Sequence, residues 1–269
     1  MSLSAADISI LLPAFCAGLL VTATHVPLGM QVLARGIVFI DLAIAQIAGC
    51  GVLLADQLGF EPEGVAVQVA ALVAALGGAL LLTWTERAWP DVQEAVIGVV
   101  FVLAATGGLL LLASNVHGSE HLRDLLVGQI LWSQWNRLAW AALVYAIILA
   151  LWFGARARLG RTGFYVLFAL AVTVSVQLVG VYLVFATLIV PPLATRRMGK
   201  GRTAFAWALG AAGYLVGLGL STSLDLPSGP VIVWTLVVLG LAWYALGLRQ
   251  SALGTPPRHA RQAEGVEGR

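Results

Sequence analysis

The chain has 269 residues, of which 60% are hydrophobic and only 10% are charged, and its mean hydropathy is +0.93. Soluble globular domains carry about 25% charged and about 45–50% apolar residues, so this composition excludes that class. Apolar windows long enough to cross a bilayer recur along the chain and predict an all-α, polytopic membrane protein. The net charge of only +2 gives no support for nucleic-acid binding.

The apolar windows predict eight or nine transmembrane helices. They lie at about 8–25, 37–54, 65–84, 92–112, 138–153, 164–195, 203–222 and 231–248. A single helix over 164–195 would be roughly 50 Å long, well above the roughly 30 Å hydrocarbon core. Basic clusters flank this block on both sides, and such clusters mark the cytoplasm. The block is therefore predicted to cross twice, with a turn near Val179 and Gly180. That gives nine crossings with the N-terminus outside, or eight if a half-span is re-entrant.

One transmembrane domain is predicted over residues 1–250. Residues 251–269 are polar and contain Pro and Arg, which predicts a disordered cytoplasmic tail. The segment 115–134 is amphipathic and too polar to span, so it is predicted to lie at an interface. The first span is predicted to end in a turn from His25 to Gly29, which makes His25 a boundary residue rather than a ligand.

Two adjacent prolines mark the most informative part of the chain. The apolar run that starts at residue 179 meets Pro191 and Pro192 and then passes directly into Arg196 and Arg197. Proline lacks a backbone N–H and disfavours helix at the residue before it, so a helix break is predicted here. Residues 191–202, which we name the basic elbow, are interpreted as a cytoplasmic handle for a soluble partner.

Three sequence blocks carry a further signal. The first block runs from His25-Val-Pro-Leu-Gly29 through Arg35 to Phe39-Ile-Asp41, the second is Glu94-Ala-Val-Ile-Gly98, and the third is the run VGVYLVFATLIVPPLAT at residues 179–195. In this order, the blocks resemble the membrane permease subunits of ATP-binding-cassette importers for zinc, manganese and iron, the ABC-3 type metal permeases. Their order and spacing cover most of residues 10–200, which makes the resemblance fairly specific.

The resemblance implies a fold, a set of partners and a substrate. The expected fold is a type II permease architecture like that of vitamin B12 importers, with a translocation path between two copies of the chain. A cytoplasmic ATPase would dock on the basic elbow, with Pro191, Pro192, Arg196 and Arg197 as coupling residues. An extracytoplasmic solute-binding protein would deliver zinc, manganese or iron. The chain would be a transport subunit of the inner membrane, without enzymatic activity and without a covalently bound cofactor.

Three residues are candidates for the translocation path. Asp41 lies in an apolar run, where an ionisable group usually faces a cavity or a partner; the alternative is a structural carboxylate paired with Arg35. Gln46 can offer a carbonyl oxygen to an ion or hydrogen-bond to a neighbouring helix. Glu94 matches an acidic position of the family, but an acid in the first turn also favours the helix dipole.

The sequence departs from the family at one position. The family carries a histidine four residues after the intramembrane Asp, and here Ala45 stands at that position. Loss of an imidazole removes a ligand that suits zinc, copper, iron and nickel. The identity of the ion, and whether it passes bare or as a chelate, are therefore left open.

A second candidate metal site has the HxxEH pattern, formed by His117, Glu120 and His121. Two histidines at i and i+4 share a helix face and, with a carboxylate, can hold zinc or a similar ion. The site could receive metal from the binding protein, or the segment could be a solvated loop. An intramembrane zinc hydrolase is a third alternative, but it needs a third ligand and a cleft.

An ion-gradient-driven secondary transporter is the other alternative function. That class often shows inverted repeats with broken spans at matching positions. The sequence shows no convincing internal repeat, so the resemblance to the importer permeases is preferred.

Overall fold

The structure is a computed structural model that describes residues 5–61, 64–112 and 130–253. Every regular element in those ranges is helical. The α-helices are α1 (Ala5–Arg35), α2 (Ile40–Gln57), α3 (Val65–Ala88), α4 (Gln93–Leu112), α5 (Trp135–Val179), α6 (Val181–Ala194), α7 (Arg202–Leu224) and α8 (Ser228–Leu253). Two short 3-10 helices, Pro90–Val92 and Ile130–Trp132, precede α4 and α5.

Eight helical segments of the described chain are long and apolar enough to cross a membrane. Two of them, Trp135–Ala155 and Arg158–Val179, belong to α5, which is kinked at Gly160. The helix α6 has 14 residues, so it is about 21 Å long and shorter than the roughly 30 Å hydrocarbon core. The described ranges therefore contain eight segments long enough to span and one short helix, which confirms the predicted multi-pass, all-α architecture.

The predicted turn near residue 180 is present and buried. Gly180 separates α5 from α6 with φ 82°, a backbone conformation that favours glycine. Val179 is fully buried beside it. Irregular backbone at membrane depth is tolerated where protein encloses it. This turn lets the short α6 return inside the bundle, packed mainly against α1 and α8 and also against α7.

Contacts between helix ends fix which ends share a side of the membrane. The end of α1 meets the end of α3 through Arg35 Nη1 and Glu86 Oε2, which are 3.9 Å apart. The end of α3 meets the α5 kink, where Arg87 Nη2 donates to Thr162 Oγ1 at 2.9 Å. These ends share one side with the basic elbow, since Gly29 of α1 packs on the last turns of α6.

That side carries most of the basic residues of the described chain. They are Arg35, Arg87, Arg158, Arg161, Arg196, Arg197, Lys200 and Arg202. Arginine and lysine concentrate in cytoplasmic loops, so this side is the cytoplasmic one. By the same rule, the start of α1 lies outside.

The first helix does not end where it was predicted to end. α1 continues through Pro27 and Gly29 to Arg35, so the expected turn at residues 25–29 is wrong. A proline inside a membrane helix is tolerated where side chains and neighbouring helices compensate the disturbed backbone. Thr24 Oγ1 donates to the Val21 carbonyl oxygen at 3.0 Å, in the turn before Pro27.

The two elbow prolines also lie inside a helix, because α6 continues through them to Ala194. The predicted break therefore falls after the prolines rather than at them. Thr195 closes the helix end with its backbone N–H and its hydroxyl, which both donate to the Pro191 carbonyl oxygen, at 3.2 and 2.9 Å. Arg202 Nη2 donates to the Pro192 carbonyl oxygen at 3.0 Å. The start of α7 is thus tied to the end of α6.

A carbonyl group left without its helical donor explains how closely α1 approaches α6. Pro192 has no N–H to donate to Leu188 four residues earlier, so the Leu188 oxygen has no partner in its own helix. A Cβ atom built on Gly29 would lie 1.9 Å from that oxygen. Only glycine fits this contact, in which its Cα–H groups face a carbonyl oxygen.

We expect Gly29→Ala to separate α1 from α6 and to lower the free energy of unfolding by on the order of 1–3 kcal/mol, the usual cost of overpacking. The matched control is Gly77→Ala, because a Cβ at Gly77 meets nothing within 4 Å. Thermal unfolding of the purified variants in detergent measures the difference. Equal midpoints for both variants would contradict the close contact.

Candidate functional site

The three sequence blocks that are separate along the chain meet in the cytoplasmic half of the bundle. The first and third blocks touch where Gly29 packs on Leu188. The first and second blocks touch where the Phe39 backbone N–H donates to Glu94 Oε1 at 3.3 Å. The blocks that carry the resemblance therefore form one spatial unit, which contains Asp41.

Asp41 lies in the first turn of α2 and is 1% exposed. Neither carboxylate oxygen has a hydrogen-bond partner among the described residues. The alternative of a pair with Arg35 is not formed, since Arg35 pairs with Glu86 and lies over the Phe164 ring at 4.4 Å. An unpaired buried carboxylate is costly, so such a position is typical of a group that meets a proton or a cation.

A tight connection sets the position of Asp41. Gly36 adopts φ 71° directly after α1, and the Ile37 backbone N–H donates back to the Val32 carbonyl oxygen at 3.3 Å. Glycine in the left-handed region is the usual way to end a helix. Because only residues 36–39 separate α1 from α2, a movement of the end of α1 is transmitted directly to the first turn of α2.

The amide of Gln46 does not stand in the place of the family histidine. Ala45 follows Asp41 by one helical turn and lies on the same buried face, at 2% exposure. Gln46 is about 100° further around the helix and is only half-buried. Its amide therefore points along a different face of α2 from the Asp41 carboxylate.

Glu94 joins the starts of two helices. It opens α4 and is half-buried. Its Oε1 accepts the Phe39 backbone N–H, and Phe39 is the N-cap residue of α2. Its Oε2 is buried without a hydrogen-bond partner in the described chain. Beside the two roles predicted from the sequence, Glu94 thus caps the helix that carries Asp41.

Two variants separate the roles of Glu94. If Glu94 acts as the cap of α2, Glu94→Gln keeps a carbonyl acceptor and retains transport, whereas Glu94→Ala loses both the acceptor and transport. We expect faster hydrogen exchange at the Phe39 amide in Glu94→Ala alone. Asp91→Asn, at an exposed acid before α4, is the control. Loss of transport in Glu94→Gln with normal Phe39 exchange would instead assign the residue a charge-dependent role.

The basic elbow separates into a buried part and an exposed part. Pro191 and Pro192 are buried in α6, whereas Arg196 and Arg197 are exposed. The two guanidinium groups lie over the Tyr244 ring, with their carbon atoms 5.7 and 4.9 Å from the ring centroid. The arginines are therefore the part of the elbow that a partner can touch.

The HxxEH residues His117, Glu120 and His121 lie outside the described residues, and the predicted site there stays a prediction. Within the described part of the chain, no group of three or more His, Cys, Asp or Glu side chains is arranged to hold a metal ion.

The position of His25 differs from the one predicted. It lies inside α1 and is fully buried, rather than at the end of the first span. The sequence signal that could have revealed this is helical spacing. Positions 18, 22, 25 and 29 fall on one helix face, and glycine or threonine at three of them indicates close helix packing.

The fold and the site together define a multi-pass membrane protein of the transport-subunit class. Its spans enclose a buried carboxylate, and its cytoplasmic face presents a basic elbow. The family model of the ABC 3 transport family matches residues 7–160 and 154–246. The chain belongs to the ABC 3 transport family.

One curated relative and two solved structures are similar to the chain. A Haemophilus influenzae protein described as a probable iron transport system membrane protein is 26% identical over an alignment of 183 residues, and the match covers 60% of this chain and 66% of that protein. The structure of PsaBC from Streptococcus pneumoniae in complex with Fab has a TM-score of 0.71 at 21% identity, and the match covers 87% of this chain and 91% of that chain. An inward-facing structure described as a metal-chelate type ABC transporter has a TM-score of 0.67 at 15% identity, covering 93% and 90%. At these identities, the two structural likenesses show the fold.

Proposed function

We propose that this chain is the permease subunit of an ATP-driven importer of a divalent transition metal ion: zinc, manganese or iron. The observation that carries the proposal is the unpartnered Asp41 carboxylate, buried at the point where the three sequence blocks meet. Membership of the ABC 3 transport family and the iron transport description of the curated relative support the substrate class. The relative is matched over 66% of its length.

The proposed assembly contains two copies of the chain and two kinds of partner. ATP is hydrolysed by a separate cytoplasmic ATPase, in keeping with a sequence that has no GxxxxGK[ST] pattern. An extracytoplasmic solute-binding protein delivers the metal, and the HxxEH residues His117, Glu120 and His121 are proposed to receive it. The permease makes no covalent bond with its substrate.

The mechanism is alternating access driven through the basic elbow. When the ATPase moves the elbow, the hydrogen bond from Arg202 to the Pro192 carbonyl oxygen makes the start of α7 move together with the end of α6. Because Gly29 of α1 packs directly on the Leu188 carbonyl oxygen of α6, α1 moves together with α6. The connection that begins at Gly36 then carries the first turn of α2 and with it Asp41. In this mechanism ATP binding changes the side from which the carboxylate can be reached.

The proposed path ligands are weak and few, as transport requires. Asp41 contributes a carboxylate and Glu94 its second oxygen. Gln46, on a different face of α2, contributes an amide oxygen at a separate point along the path. Oxygen ligands suit manganese, while imidazole suits zinc, iron and copper. A site with few ligands releases the ion readily once the other side opens.

ATP-driven uptake into vesicles tests this function. The permease, the ATPase and the binding protein are reconstituted together, and accumulation of zinc, manganese, iron, cobalt and nickel is measured. We expect one or two of these ions to accumulate with ATP and none without it. Uptake driven by an ion gradient in the absence of ATP would instead favour a secondary transporter. An intact, ATPase-active complex that accumulates no ion would overturn the proposed substrate class.

We expect Asp41→Asn to abolish metal uptake, because the amide keeps the size of the side chain but removes the negative charge that meets the cation. Dimer formation and ATPase binding should remain, and size-exclusion chromatography checks both. The control is Asp225→Asn, at an exposed residue whose φ of 52° asparagine tolerates. Normal uptake by Asp41→Asn would remove Asp41 from the path.

We expect charge reversal of the elbow, Arg196→Glu with Arg197→Glu, to release the ATPase. The matched control reverses Arg158 and Arg161, which are exposed on the same side of the membrane. Co-purification of the ATPase with tagged permease measures the difference. Equal retention by both double variants would mean that the elbow arginines do not bind the ATPase.

A further inference from the structure

His25 is a fully buried histidine with one ring nitrogen unused. Its Nδ1 lies 3.0 Å from the Val21 carbonyl oxygen and 3.1 Å from Thr24 Oγ1. A carbonyl oxygen can only accept, so Nδ1 carries the proton and the neutral ring has its lone pair on Nε2. Nε2 is buried and has no hydrogen-bond partner among the described residues.

A second unpartnered oxygen lies on the same face of α1. Thr22 is 3% exposed, and its Oγ1 has no partner in the described chain. Residues three apart on a helix are neighbours, so Thr22 and His25 lie side by side. This face packs on α7, since a Cβ on Gly210 would lie 3.2 Å from Thr22 Oγ1.

The space between α1, α6 and α7, which we name the polar seam, contains further hydroxyl groups. Tyr214 of α7 packs its ring against Gly18 of α1. The Tyr214 hydroxyl is 2.9 Å from Thr187 Oγ1 of α6. The unused groups of Thr22 and His25 therefore lie on the α1 side of a seam closed by a hydrogen bond between the other two helices.

The hydrogen bonding of His25 is that of a metal-ligating histidine. Such residues nearly always donate one ring N–H to a backbone carbonyl or a carboxylate, which fixes the tautomer and leaves the other nitrogen for the metal. His25 has this arrangement, with Nδ1 on the Val21 carbonyl oxygen and Nε2 without a partner among the described residues. It is also the one histidine within the described residues, whereas Ala45 of α2 offers no donor atom.

We propose that His25 Nε2, with Thr22 Oγ1 beside it, is a second coordination point for the transported cation and supplies its nitrogen ligand. This inference rests on the proposed function and adds to it a residue that sets ion preference. Because His25 is fully buried, the cation reaches it only when the polar seam opens. The seam borders α6, so movement of the basic elbow controls that access.

An imidazole at this point favours ions that bind nitrogen well. Zinc and cobalt gain more from a neutral imidazole than manganese, which prefers oxygen ligands. The groups that surround the coordination point are neutral, so the site stays only weakly attractive to a cation and can release it. The opposing explanation is a structural histidine, whose Nε2 accepts a hydrogen bond from a buried water.

Four variants of the full permease, reconstituted with its ATPase and binding protein, test the proposal. His25→Ala removes the ring, and His25→Gln keeps a hydrogen-bond acceptor near the position of Nε2. Thr22→Val removes only the hydroxyl. The control is Thr83→Val, at a buried threonine whose hydroxyl donates within its own helix at 2.7 Å.

Two readouts are compared, and neither depends on the other. Equilibrium dialysis of the purified permease with zinc, cobalt or manganese alone gives Kd, and vesicle uptake gives KM for the same ions. We expect both histidine variants to weaken zinc and cobalt binding about 10–100-fold, the range that even outer-shell changes produce. Manganese binding should change much less, Thr22→Val should show a smaller loss, and Thr83→Val should match the wild type.

Several results would overturn the proposal. Unchanged Kd and KM in His25→Ala, with the dimer intact, would make His25 structural. Wild-type behaviour of His25→Gln would identify a hydrogen-bond acceptor for water. Metal binding that depends on His25 in a permease that takes up no metal would support the coordination point and reject the proposed function, so the two failures are distinguishable.

Discussion

The contact between Gly29 of α1 and the Leu188 carbonyl oxygen of α6 holds the functional parts of this molecule together. It exists because Pro192 removes the donor that Leu188 would have in a regular helix, and because Gly29 has no side chain to block the approach. In a membrane, where apolar surface alone does not drive helices together, such close backbone packing carries much of the association between helices. The same contact joins the basic elbow to the segment that leads to Asp41.

Composition, hydropathy and charge distribution were enough to predict the class of fold. The all-α, multi-pass architecture and the turn at Gly180 follow from hydropathy and from the basic clusters that flank residues 164–195, and the structure confirms them. The assignment of the basic clusters to the cytoplasmic side rests on the positive-inside rule alone. The errors concern proline. Helix ends were expected at Pro27 and at Pro191, yet both helices continue. Helix propensities describe a chain in water, whereas inside a bilayer an exposed backbone is so costly that the chain stays helical and packs around the defect.

The candidate site was harder to predict, because its contacts join residues distant in sequence. Asp41 stood out as an acid within an apolar run. The sequence could not show that Arg35 pairs with Glu86 of α3 rather than with Asp41. Nor could it show that Glu94 would accept the backbone N–H of Phe39. His25 was predicted to be a boundary residue because the first span was expected to end at this point. It is buried because α1 continues past Pro27.

The buried polar atoms that have no hydrogen-bond partner in the described chain include those of Asp41, His25 and Thr22. Each costs free energy that a purely structural helix bundle would avoid with an apolar side chain of similar size. A transport protein differs from such a bundle because its interior must attract an ion in one state and release it in another. Polar groups with all their hydrogen bonds made would stabilise a single conformation. A cluster of strong ligands would bind the ion too tightly to release it. Sparse and unsatisfied groups next to a movable helix meet both requirements at a modest loss of stability.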